Sequence, residues 1–248
     1  MMRMKGTDEL RPGYNPQVSS ENQFVVEISA GQNAADNACF KEHLERIASR
    51  GKKFLPTNYI GDAGYGSCEN YDLLKEYTIE NYLKYPTYHR EKTDKHKNNI
   101  FHPDNLIYNK EEDFYTCPSG KHLVFSHLSE KKTSTGYINE IRVYQSEDCL
   151  GCPMKKNCTK SKENRKIHIN PKLEQHKKEA RDNLDSDPGK ELRKRRGWEI
   201  ETFFGDLKYN QGYKRIRLRG LQNAHTELLW LALSYNLRKS CKLLASEA

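Results

Sequence analysis

The sequence holds no stretch that reads as a secretory signal or a membrane span. Its opening, "MMRMKGTDELRPGYN", has no apolar core of the kind a signal carries. The longest apolar run, "ELLWLALSYNL" at 227–237, falls far short of the ~20 residues that cross a bilayer. It is expected instead to be a helix buried on most sides. Cysteine occurs in an odd number, seven, which without a signal argues against a disulfide framework and for a reducing, cytoplasmic setting. There is no internal repeat and no low-complexity tail, and the nine His show no metal-ligand pairing. Hydrophobic residues make up only 35%, with 15 Tyr among them, so the core is expected to be modest and partly aromatic.

Charge is what the chain has in quantity. Charged residues reach 31% of the 248, the net charge is +8 and the isoelectric point is about 9.0. Such a balance favours a polyanionic partner, because Lys and Arg release counterions when they meet phosphates. The length accommodates one substantial domain with an insertion, or two small domains.

Along the chain, about two dozen residues pass before the first strand signal, "FVVEI" at Phe24–Ile28. A helix follows, with apolar Ala38, Phe40, Leu44 and Ile47 and a closing Gly51. A short strand then ends near Ile60, a Gly-rich turn carries Asp62, and a second helix begins near Glu69. This alternation predicts an α/β core beginning in residues 1–84. Residues 85–170 alternate polar and β-favouring side chains between turn signals, which predicts a small β-rich insertion holding four of the cysteines. Residues 171–248 read as helical and basic, the carboxyl-terminal part of the core.

Three constellations stand out. In "YIGDAGYGS" the Asp62 carboxylate follows an apolar strand and precedes Gly64 and Gly66, a place where α/β folds display ligand-binding groups; Asp is also a common turn former. On the helix at 191–210, Ile200, Phe203, Phe204 and Leu207 form the stripe expected to face the core. Glu201 and Lys208, seven apart, point about 20° from one another on a face expected to border that stripe, with Gly205 between them. Such charges suit a solvated helix equally, but Gly costs about 1 kcal/mol against Ala there. Lys208, Lys214, Arg215, Arg217 and Arg219 follow, interleaved with Tyr209 and Tyr213, a mixture suited to phosphates and bases. Finally, Cys149 and Cys152 are spaced C-x2-C, with Cys158 further on and Cys117 in "CPSGK". Four thiolates suit a structural Zn²⁺, or they are free thiols; Cys39, Cys68 and Cys241 read as buried small hydrophobes.

Taken in order, "DAGYGSCENYDLL", "YHREKTDKHKNNIFHPDN", "CPSGK", "CLGCPMKKNCTKSKENR" and "RKRRGWEIETFFGDLKYNQGYKRIRLRG" resemble the carboxyl-terminal part of bacterial insertion-sequence DDE transposases. The resemblance covers nearly the whole chain. It implies a ribonuclease-H-like fold in which two Asp and one Glu hold two Mg²⁺ (or Mn²⁺). The second Asp falls on Asp62 and the Glu on Glu201, with Lys208 touching the transposon-end DNA. The Arg that precedes the Glu is loosely matched by Arg195 or Arg196, and Gly197 stands where a polar residue is expected. The resemblance further implies DNA cleavage at element ends, joining of the 3′ hydroxyl to target DNA, and a homodimer.

The family's first Asp has no counterpart at the expected place. Asp8 lies beside a Pro-Gly turn, and Asp36 reads as a helix-start residue. The expectation is therefore an incomplete ribonuclease-H-like fold with a β-rich, zinc-binding insertion, inactive by itself. The alternative is a non-catalytic DNA-binding remnant with a structural zinc site.

Overall fold

The computed structural model describes residues 2–3 and 9–247. The chain forms a mixed α/β structure in two compact units, one built from the residues up to Tyr85 together with those from Ala180 onward, the other from Pro86–Glu179.

In the first unit, β1 (Met2–Arg3) pairs with β2 (Leu10–Arg11), and β3 (Asn15–Glu21) forms an antiparallel hairpin with β4 (Phe24–Gly31). Asn22 and Gln23 turn the hairpin at φ of 51° and 66°, the left-handed pair that a two-residue loop requires. Nothing in the sequence pattern announces β3, because its deeply buried side chain is Gln17 rather than an apolar one. That amide is satisfied by Tyr65 and Asp36.

β4 is the spine of the larger core. Val25, Ile28 and Ala30 pack with Phe203 and Leu207, and with Ala224, Leu228, Ala232 and Tyr235 of the last helix. Asn236 donates to the Val25 carbonyl at 2.8 Å and accepts the Val25 N–H at 2.9 Å, so a side-chain amide satisfies backbone groups that β3 does not pair.

The helix α1 (Phe40–Ser49) buries Phe40, His43, Leu44 and Ile47. β5 (Asn58–Gly61), α2 (Cys68–Glu76) and β6 (Glu80–Leu83) form a β–α–β unit whose strands run parallel. Ser67 caps α2 by accepting the Asn70 N–H. A chain of polar side chains ties these elements together. His43 is hydrogen-bonded to Ser29 and Ser19, each at 2.8 Å, and Ser19 to the Tyr59 hydroxyl at 2.7 Å.

The second unit contains α3 (Asp94–Lys97) and a five-stranded antiparallel sheet in the order β11-β10-β9-β8-β7. Its strands are β7 (Ile107–Asn109), β8 (Phe114–Thr116), β9 (His122–Lys132), β10 (Ile138–Ser146) and β11 (Lys166–Ile169), with α4 (Lys155–Cys158) before the last. One buried cluster in it joins Leu106, Leu123, Tyr144 and Ile167.

α5 (Pro171–Asp185) returns the chain to the first unit. α6 (Asp187–Gly205) starts at a Ser186 cap and runs into a π-helical turn at Asp206–Asn210, where the Gln211 N–H reaches the Asp206 carbonyl at 3.0 Å. An irregular segment leads to α7 (Leu221–Glu247). Contrary to the expectation of burial on most sides, α7 packs one face only. Trp230, Leu233 and Leu237 are 67%, 47% and 57% exposed. Cys241 is likewise exposed, not buried, whereas Cys39 and Cys68 are buried.

Candidate functional site

Asp62 follows the last residue of β5 in extended conformation (φ −72°, ψ 166°), which frees its side chain from the strand. The carboxylate accepts a 2.6 Å ion pair from Arg196 of α6. Lys84, just past β6, lies beside the same group. Burial, with Arg196 and Arg193 nearby, lowers its pKa, while Asp62 pushes it back up. Asp62 therefore sits beside two cations, Arg196 and Lys84, of which the sequence reading missed Lys84. Lys84 could have been found from the β–α–β pattern, since Gly61 pairs with Leu83 and so sets Asp62 and Lys84 at matching strand ends.

The glycines around Asp62 serve packing rather than ligand access. A Cβ at Gly61 would meet Leu83 at 2.6 Å, one at Gly64 the Asp36 carboxylate at 2.8 Å, and one at Gly66 the Lys84 carbonyl at 2.4 Å. Asp36 begins a 3-10 turn ahead of α1, but its side chain caps nothing. It accepts from Asn15 at 2.8 Å and Gln17 at 3.4 Å instead. Asp8 lies outside the described residues.

On α6 the buried line is Glu199, Phe203 and Leu207, with Ile200 and Phe204 only partly covered. The sequence pattern put the line at Ile200, Phe203, Phe204 and Leu207, and the burial of the charged Glu199 turns it toward that residue. Glu199 is buried because Arg195 donates to it at 2.9 Å and the Ser20 hydroxyl at 3.3 Å. Arg195 also bonds Asn22 at 2.7 Å, so this arginine is committed to the fold. The shift carries Glu201 from the border of the buried stripe to the side of the helix away from it, about 160° from Phe203. Glu201 is exposed, and its side chain has no hydrogen bond or ion pair among the described residues.

Gly197 and Gly205 lie four residues before and four after Glu201, and a Cβ at either would meet nothing within 4 Å. Glu201 thus stands in a bare lane on the helix surface. The π turn follows directly. It inserts an extra residue into the helical repeat, so Lys208 is no longer two regular turns from Glu201; its ammonium lies 5.0 Å over the Phe204 ring. Asp206 fixes this turn through Asn210 at 3.1 Å and Arg238 at 2.7 Å. Burial raises the Asp206 pKa, but those bonds outweigh it and the net shift is downward.

The basic segment after the turn is anchored at its centre. The Glu227 carboxylate accepts the backbone N–H groups of Arg217 and Leu218 at 2.7–3.0 Å. Lys214, Arg215, Arg217 and Arg219 are exposed, and Arg217 lies 5.3 Å over the Tyr213 ring. Of the two tyrosines, Tyr209 is 85% exposed, while Tyr213 packs against the core.

The structure brings Asp62 to α6 through Arg196, which precedes Glu201 by five residues, about 7.5 Å along the axis and about 140° around it. Among the described residues, no third ligand group joins Asp62 or Glu201 in a cluster within 4.8 Å.

In the second unit, Cys117, Cys149, Cys152 and Cys158 line one cavity of about 20 Å³. Ser119 bridges two of the thiols, 3.5 Å from Cys117 and 3.7 Å from Cys152. The buried Arg165 serves the other two, its guanidinium donating to Cys158 at 3.1 Å and its backbone N–H to Cys149 at 3.4 Å. Burial raises the Cys117 thiol pKa, but hydrogen bonds from Ser119 and Lys121 outweigh it and favour the thiolate. No three of these sulfurs lie within 4.8 Å of one another among the described residues, so they surround a common space without closing on it.

The chain matches the family model described as the transposase DDE domain over residues 116–241, just over half its length. No curated protein and no solved structure matches it.

Proposed function

This chain belongs to the transposase DDE domain family, and from that membership we propose that it acts by metal-dependent cleavage and transfer of DNA strands, with Asp62 and Glu201 as the metal-holding carboxylates. DNA is the partner that a transposase domain implies, and such domains use divalent metal ions. The first unit is read as a ribonuclease-H-like core, in which the β3–β4 hairpin and the parallel β5–α2–β6 unit support Asp62 at a strand end. The observation that carries the reading is the lane on α6: an unpaired, exposed Glu201 between Gly197 and Gly205, leading to exposed cations at 208–219. Glycine in a helix costs about 1 kcal/mol against alanine, the space beside both positions is open, and a sugar–phosphate backbone lying along the helix supplies a reason for them.

The donor set fits Mg²⁺ or Mn²⁺, hard ions that take carboxylate oxygens and share their remaining positions with water and substrate phosphate. When bound, such ions activate the attacking oxygen and stabilise the leaving one. The chain's own groups do the rest. Glu201 is free to bind, while Asp62 first releases Arg196, which then faces phosphate oxygens along with Lys84. Lys208, Lys214, Arg215, Arg217 and Arg219 hold the DNA backbone, and Glu227 keeps their segment in place.

A second reading, a non-catalytic DNA-binding module with a structural zinc at Cys117, Cys149, Cys152 and Cys158, is favoured by one observation. Neither Asp62 nor Glu201 belongs to a group of three ligand-type side chains among the described residues. Duplex binding over a salt series, followed by nicking assays in Mg²⁺ or Mn²⁺, separates the two. The Lys214→Ala/Arg215→Ala/Arg217→Ala variant is expected to lower the slope of log affinity against log salt by about 2.7, three phosphates' worth; unchanged binding removes the segment from the interface. Nicking by the wild type that Asp62→Asn and Glu201→Gln both abolish supports the first reading. Salt-sensitive binding without nicking supports the second.

A further inference from the structure

The second unit carries another cluster, one that spacing along the chain conceals. His96 belongs to α3, and His102 and Asp104 flank the start of a 3-10 turn at Pro103–Asn105. The Asp104 carboxylate oxygen Oδ2 lies 3.5 Å from His96 Nε2 and 3.5 Å from His102 Nδ1. All three ligand atoms fall within 4.8 Å of one another.

These distances are long for charge-assisted hydrogen bonds, which run about 2.7–2.9 Å. They are the right length for something else. Two ligands each about 2.1 Å from one tetrahedral ion stand about 3.4 Å apart. His96 is 93% buried by the 7% exposure of its side chain, yet its Nε2 has no hydrogen-bond partner. A buried ring nitrogen left in this state costs free energy unless a ligand meets it.

His102 presents the matching chemistry. Its Nδ1 accepts the backbone N–H of Asp104 through a long 3.3 Å bond, which a metal ion at that single lone pair would replace. A neutral imidazole is the form that binds metal. The ring planes are tilted by 55° with centroids 4.3 Å apart, so the two imidazoles are not stacked flat.

The scaffold is preformed. Asn105 donates to the His96 carbonyl at 2.7 Å and to the Asn99 carbonyl at 2.9 Å, pinning the loop that separates the two histidines. Thr93 caps the turn that carries His96. The side chains of His102 and Asp104 are 27% and 32% exposed, which leaves an entry path and room for water.

We propose that His96, His102 and Asp104 form a binding site for a divalent borderline cation, Zn²⁺ by its preference for two imidazoles and one carboxylate, with water completing the coordination. The site is separate from the four cysteines and from the carboxylates of the DNA-processing reading. Bound there, the ion clamps the 94–105 loop.

The test uses the full chain, stripped of metal and titrated with Zn²⁺ against a chromophoric chelator, then with Co²⁺ for its spectrum. The wild type is expected to bind one more equivalent of Zn²⁺ than His96→Gln or Asp104→Asn, or to bind it at least tenfold more tightly. The Co²⁺ spectrum assigns the loss: the variants lose d–d absorption without losing thiolate-to-cobalt charge transfer, which belongs to the cysteines. Absence of that charge-transfer band counts against the cysteine site alone. Equal stoichiometry and affinity in the wild type and both variants overturns the proposal. Ring-proton resonances of His96 and His102 in the unaltered protein supply a readout that needs no variant. They are expected to shift together with Zn²⁺, and their failure to move overturns the proposal as well.

Discussion

The two compact units differ in how their buried groups are held. In the first, several buried polar side chains find partners within the protein itself. His43 has Ser19 and Ser29, Glu199 has Arg195 and Ser20, and Asn236 holds both backbone groups of Val25. Beneath them lies a continuous apolar cluster on β4, α6 and α7. The second unit packs a buried cluster of Leu106, Leu123, Tyr144 and Ile167 beside its five strands and leaves Ile107, Leu128 and Ile138 more than half exposed. Its ligand-type side chains gather around one small cavity and one pinned loop, and His96 Nε2 has no hydrogen-bond partner. One unit is held by core and internal hydrogen bonds; the other has the composition of a fold fastened by ions, the usual recourse when a core is small.

The largest effect expected from this contrast is on metal removal. Chelation should melt the second unit and leave the first folded, with protease cuts appearing inside 86–179 and the α7 core protected. Because metal binding is coupled to folding in small metal-stapled units, a loss on the order of 3 kcal/mol or more is expected there. Equal resistance of both units to protease after chelation would erase the distinction.

A pH effect is expected in the first unit. Burial, with Arg46, Arg50 and His225 nearby, lowers the His43 pKa to about 4 from 6.5. The folded state then binds fewer protons than the unfolded state between those values, so stability is complete above about 6.5 and declines as pH falls toward 4. The span is worth about 3 kcal/mol. Urea midpoints of the wild type should fall across this window, and His43→Gln should flatten the slope. A parallel fall in that variant would assign the acid sensitivity elsewhere.

The smallest effect concerns the lane on α6. Gly197→Ala and Gly205→Ala should each raise stability by about 1 kcal/mol, since the added methyl meets open space. Together they should weaken DNA binding. Gains in both stability and binding would remove the glycines from the interface argument.

How much of this the sequence discloses depends on whether burial was apolar. The apolar β4 and the Gly-punctuated passage around Asp62 are visible from hydrophobic clustering and turn chemistry. β3 is not, because Gln17 occupies its buried position. The same cause displaces the face of α6: the apolar pattern leaves out the buried Glu199, and so sets Glu201 at the border of the buried stripe. α7 misleads in the opposite sense, since its Leu and Trp content suggests burial that Trp230 and Leu237 do not have. His96, His102 and Asp104 escape notice because the six- and two-residue intervals match no regular ligand spacing; a pinned loop, not a helix or hairpin, unites them.

The π turn at Asp206–Asn210 makes the length of that segment matter as much as its composition. Removing one residue there would return the turn to the ordinary helical pattern and break the bond from the Gln211 N–H to the Asp206 carbonyl. Lys214, Arg215 and Arg217 would keep their charges, but the link between that turn and the Glu227 anchor would be one residue shorter. A deletion that leaves every cation in place would therefore strain the surface that carries them.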